Sequence, residues 1–94
     1  MSLFDFLRTD ESRKNRVAVQ IDRDTGVLEE CPVCRDLADK GRDDRLMAAD
    51  LTAHQLFDEN SPLVDVFQGD RDDLLRRLRS VRARYNYFCR CEDN

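Results

Sequence analysis

Hydrophobic positions change their spacing several times along the chain. Leu3, Phe4, Phe6 and Leu7 crowd its first residues behind Ser2. Ser2 can cap a short N-terminal helix, with Asp5 at the third helical position. Residues 8–16 are polar and basic and read as a linker, so 1–16 form a helix and linker. Their apolar part can dock on the domain's own core or on a partner. Val17-Ala18-Val19-Gln20-Ile21 and Val27-Leu28-Glu29-Glu30 are β-prone runs. They flank Asp22-Arg23-Asp24-Thr25-Gly26, whose glycine can take positive φ, and together they predict a β-hairpin.

From Arg42 the period becomes helical. Leu46, Ala49, Ala53, Leu56 and Phe57 recur on one face, with Met47 at its border. Asp43 or Asp44 can start this helix and Asn60 can end it. Ser61-Pro62 restarts the chain as a cap and a first helical position, Leu63, Val66 and Phe67 give its apolar side, and Gly69 stops it. Asp70 caps a last helix in which Leu74, Leu78, Val81 and Tyr85 form a narrow stripe, with Asp72 and Asp73 at its positive end. The aromatic tail Tyr85–Cys91 reads as a strand returning to the hairpin. The expectation is a single α+β domain over residues 1–94: a β-hairpin plus a C-terminal strand, with about three helices inserted.

Composition narrows this picture. A 94-residue chain buries only about two thirds of the surface its unfolded form exposes. With 38% charged residues and a mean hydropathy of -0.71, the core is thin. No apolar run approaches the roughly 18–20 residues that span a bilayer, and the start lacks the basic region and long apolar stretch of a signal peptide. These features predict a reducing, cytoplasmic setting, or a virion if the chain is viral, where clustered cysteines serve as metal ligands or redox groups. Fifteen Asp against five Glu, and fourteen Arg against two Lys, give a net charge of -4. An acidic, Asp-rich, Lys-poor surface suits a halophilic archaeon or its virus; a GC-rich genome gives the same bias.

The four cysteines fall in two tight pairs, Cys31/Cys34 and Cys89/Cys91. Tetrahedral zinc takes four ligands, with thiolates at about 2.3 Å. A C-x-x-C turn aims two sulfurs at one point, and residues two apart in a strand share a face. Each pair is therefore half a site, and one structural Zn2+ held by Cys31, Cys34, Cys89 and Cys91 would staple the domain. These pairs resemble the cysteine halves of zinc-ribbon and zinc-knuckle domains. The second pair is C-x-C where a ribbon has C-x-x-C, and the insert is long and helical. Cys31-Pro32-Val33-Cys34 also resembles a glutaredoxin active site, which implies a thiol–disulfide oxidoreductase using Cys31. That reading leaves Cys89 and Cys91 without a role. A site closed by four thiolates has no open position for water or substrate, so the zinc reads as structural and the chain as non-enzymatic.

His54, the sole histidine, sits at the edge of an apolar stripe and reads as a packing residue. Residues 70–90 hold seven Arg and three Asp, a local charge of +4. Zinc beside a basic helix suggests nucleic-acid binding through Arg76, Arg79, Arg82 and Arg84. Against this, the i,i+4 pairs Asp72–Arg76 and Asp73–Arg77 neutralise part of that charge, and arginine also suits protein interfaces. The sequence thus predicts a protein–protein interaction module, an adaptor or a structural subunit of a larger assembly. Its partner would be another protein or a second copy, with a nucleic acid as the alternative, and neither a membrane nor a small-molecule substrate is called for.

Overall fold

A computed structural model of the chain describes residues 3–88, with side chains from residue 10 onward. A long helix α1 (Leu3–Thr25) leads into a two-stranded hairpin, β1 (Glu29–Glu30) and β2 (Leu37–Ala38). A 3-10 turn at Asp43–Arg45 opens α2 (Leu46–Asp58). A 3-10 helix at Pro62–Phe67 precedes α3 (Arg71–Ser80), which tightens into 3-10 geometry at Val81–Arg84.

The protein is mostly helical, which corrects the expected α+β class. Its 17–30 segment is not a hairpin. Val17, Val19 and Ile21 alternate as a strand would, yet Val17, Ala18, Ile21 and Asp22 also recur at helical spacing. Burial decides between the two periods: Val17, Ala18 and Ile21 enter the core, while Gln20 stays exposed. The polar residues 10–16, read as part of a linker, include four good helix formers, Glu11, Arg13, Lys14 and Arg16, and continue α1. Gly26 ends this helix at φ 88 instead of turning a hairpin. The Thr25 hydroxyl donates to Ile21 O at 2.7 Å, and Leu28 N–H donates to Asp22 O at 3.0 Å.

The hairpin that does form lies further on, pairing Glu29 with Ala38 and Glu30 with Leu37. The expected C-terminal strand is absent over Tyr85–Phe88, and its remaining residues lie outside the described ones. Among the described residues, no group of three or more His, Cys, Asp or Glu could hold a metal. The picture of a zinc-stapled α+β domain is replaced by a helical core that closes through its own side chains.

That core is where α1, α2 and α3 meet. Leu74 and Leu78 of α3 are fully buried against Val17, Ala18 and Ile21 of α1 and Ala49 and Ala53 of α2. Val64, Phe67, Val27 and Val81 close its ends. Helix α2 fully buries only the small Ala49 and Ala53; its Leu46, Leu56 and Phe57 pack half-buried against the core, while Met47 and Leu51 are 73% and 63% exposed. Caps fix the breaks. Asn60 takes φ 53, Ser61 Oγ accepts from Leu63 N–H at 3.2 Å, and Asp70 Oδ1 accepts from Asp73 N–H at 3.1 Å.

Helix at position 20 is open to a direct test. Gln20 is exposed, so Gln20→Pro removes little packing but breaks the backbone ladder. It is expected to destabilise the protein by about 3 kcal/mol, read by urea denaturation followed by circular dichroism at 222 nm. An unchanged midpoint would return this segment to an extended form.

Candidate metal centre

Cys31 and Cys34 occupy the connection between β1 and β2. Cys31 N–H donates to Asp36 O at 2.9 Å, which extends the hairpin ladder one step past Glu30 and Leu37. Arg35 N–H donates back to Cys31 O at 2.9 Å and folds Cys31–Arg35 into a tight loop. Closing that loop forces Arg35 to φ 66, a left-handed conformation that glycine would adopt without strain. No disulfide joins Cys31 to Cys34. Both are partly exposed, and Val33 at the tip is 80% exposed. The cysteine pair is therefore the hairpin's turn, where the sequence suggested a turn following a hairpin.

The far end of the chain returns to this hairpin. Asp39, just past β2, donates its N–H to Asn86 O at 3.0 Å. The Lys40 ammonium stands over the rings of Tyr87 and Phe88, at 4.4 and 5.3 Å from their centroids. Those rings meet edge to face at 4.9 Å. Lys40 and Cys31 line the same open groove, together with Gly26 and Leu28. Cys89 and Cys91 lie outside the described residues. Cys89 follows Phe88 directly in the sequence.

The arginines proposed for phosphate contact are engaged within the molecule. Arg79 grips Asp50 of α2 with two bonds of 3.0 and 2.8 Å. Arg82 bonds to Asp39 at 3.0 Å and to Asp43 at 2.8 Å. Arg76 contacts Asp73 at 3.3 Å, not the Asp72 predicted as its partner, and its side chain is 73% exposed. Arg84 is exposed beside the carboxyl-terminal end of α3. Arg77 carries the heaviest load. It bonds to Asp73 at 2.7 Å, to Asn15 at 2.8 Å and to both Glu11 oxygens, tying α3 to α1. Lys14 completes this knot with a 3.1 Å contact to Asp73.

Charge follows geometry. Burial pushes the Asp73 carboxyl upward, but hydrogen bonds from Arg77 and Lys14 outweigh it and hold its pKa below the ordinary 3.8. Asp39 behaves alike: burial raises it, and bonds from Arg82 and the Gly41 N–H bring it below 3.8. His54, a half-buried residue of α2, accepts from Arg71 at 3.3 Å through Nδ1. Sequence reasoning missed Asp22, which it placed in a turn; it is fully buried. Its position four after Ala18, on the core face of a helix, was the available signal.

Compared with known proteins, the chain matches no family model, no curated protein and no solved structure. Its chemistry is read from its own residues alone.

The Arg77 knot makes two predictions. Arg77→Met keeps the aliphatic packing but strands Asp73 with fewer partners, and is expected to cost about 2–3 kcal/mol. Arg84→Ala should leave the melting temperature near wild type. Because the folded pKa values of Asp73 and Asp39 lie below 3.8, their stabilisation is present above that pH and is lost as pH falls through the folded values. Thermal melts from pH 7 to pH 3 should show this acid loss, and Arg77→Met should shallow it.

Proposed function

We propose that the chain is a non-enzymatic interaction module in which Cys31 and Cys34, completed by Cys89 and Cys91, bind one zinc ion. The observation that carries this reading is the tight Cys31–Arg35 loop at a hairpin turn, with the Asn86–Phe88 segment fastened to the exit of the same hairpin. Two thiolates held at one turn supply half of a tetrahedral site, and this reading takes the other half from Cys89 and Cys91, which follow Phe88 in the sequence. Four thiolates fill the coordination sphere, so the metal organises structure and leaves no place for substrate.

The helical core already closes by hydrophobic contact, and the metal's role is therefore local. It would fasten the C-terminal residues to the hairpin and present the exposed Val33, Tyr87 and Phe88 as one surface. Apolar and aromatic side chains beside exposed charge suit contact with another protein. Nucleic-acid binding through α3 is less well supported, because Arg79 and Arg82 already satisfy carboxylates. A thiol–disulfide enzyme is also less well supported. Its nucleophile gains from a helix N-terminus that lowers the thiol pKa, whereas Cys31 opens a five-residue turn between two strands.

Native mass spectrometry of the full chain tests the metal. One zinc per chain is expected, lost in Cys31→Ser and in Cys91→Ser. Chelation should release the C-terminal residues to carboxypeptidase while helical circular dichroism stays intact. Metal-free protein with four thiols reacting at once would end the reading. A photo-crosslinker at Val33 tests the surface: a discrete protein adduct in host extract that survives nuclease supports it, and a nuclease-sensitive adduct moves the assignment to nucleic acid.

A further inference from the structure

Asp22 is the polar side chain that the fold treats worst. It is fully buried on the core face of α1, and among the described residues neither carboxylate oxygen has a hydrogen-bond partner. It also lies in the last turn of α1, where the helix dipole disfavours negative charge. A buried, unpartnered carboxylate is costly when ionised and far less so when protonated. Burial accordingly pushes its pKa up from 3.8 to about 7.

Charged groups surround it from three sides. Arg82, from the 3-10 turn after α3, and Arg79 of α3 act on it as cations, while Asp39 at the hairpin exit and Asp50 of α2 oppose its ionisation. Both arginines are already spent: Arg79 on Asp50, Arg82 on Asp39 and Asp43. Two guanidiniums thus face four carboxylates, and a proton on Asp22 relieves part of the excess. Arg82 is the better placed to respond. It is the foremost cation acting on Asp22, and its side chain is 15% exposed against 50% for Arg79.

We propose that Asp22 is a buried proton switch: protonated, it leaves Arg82 on Asp39 and Asp43; ionised, it draws Arg82 inward and loosens the Asp39 junction. Asp39 carries both the Arg82 contact and the backbone bond to Asn86. Alkaline conditions therefore slacken the hairpin exit and the segment it holds. This switch does not depend on the metal reading, since none of its groups is a proposed ligand.

The sign is fixed by linkage. A carboxyl whose folded pKa is raised contributes stability that is complete below its unfolded value of 3.8 and is lost as pH rises through about 7. The test is carbon-detected NMR of the wild-type full chain between pH 3 and pH 9, following the Asp22 carboxyl carbon and the Asp39 amide together. Both are expected to titrate with one midpoint near 7. Amide exchange at Asp39 should also accelerate beyond the intrinsic base-catalysed rise over the same interval. Asp22→Asn leaves every other titratable group in place. That variant should abolish the Asp39 transition and remove the fall in melting temperature between about pH 4 and pH 7, which in the wild type levels off above 7. A carboxyl midpoint near 4, or an Asp39 amide indifferent to the Asp22 transition, would overturn the proposal; the carboxyl measurement needs no variant to fold.

Discussion

Everything in this molecule is arranged around α3, a short helix that must touch both of its neighbours at once. Its two fully buried leucines, Leu74 and Leu78, meet α1 on one side and α2 on the other. Its charged residues then lock each contact: Arg77 and Asp73 toward α1, Arg79 toward α2, Arg71 toward Asp58 at the end of α2. Hydrophobic area brings the three helices together, and the ion pairs select which faces meet. Ten residues carrying so much of the contact explain why the helix is rich in both Leu and Arg.

The sequence was legible where one period dominated. Residues 46–58 and 71–80 show helical spacing and both helices stand there, α3 behind the expected Asp70 cap and α2 without the side-chain cap expected of Asp43 or Asp44. Legibility failed at 17–21, where three β-branched residues at alternate positions fit two periods equally. Local preference pointed to strand, but the alternation leaves Ala18 unexplained. Tertiary burial of Val17, Ala18 and Ile21 together selected helix. That single misreading placed the hairpin at 17–30 instead of 29–38 and made Gly26 a hairpin residue instead of a helix stop. The C-x-x-C spacing was visible at once, but its place inside the turn was not, because Glu29-Glu30 and Leu37-Ala38 are too short and too polar to announce themselves as strands.

The arginine cluster carries a related lesson. Counting charges along residues 70–90 suggests a basic face. In three dimensions the matching acids arrive from elsewhere: Asp39 and Asp43 from the loop before α2, Asp50 from its side, Glu11 from α1. Charge that looks local in one dimension is cancelled by partners up to 66 residues away. Asp22 shows the converse, a carboxylate ordinary in the sequence and singular in the fold, because burial and not composition sets its behaviour.

Helix α2 has a further consequence. Its fully buried side chains are the methyls of Ala49 and Ala53, flanked by half-buried Leu46, Leu56 and Phe57, while Met47 and Leu51 point to solvent. Such a helix is seated by closeness of fit along its middle and by larger apolar side chains at its two ends. Its tolerance is accordingly lopsided. Even one added carbon at 49 or 53 would have to lever the backbone away from α3, whereas Met47 and Leu51 are at liberty to become polar with the bundle scarcely aware of it.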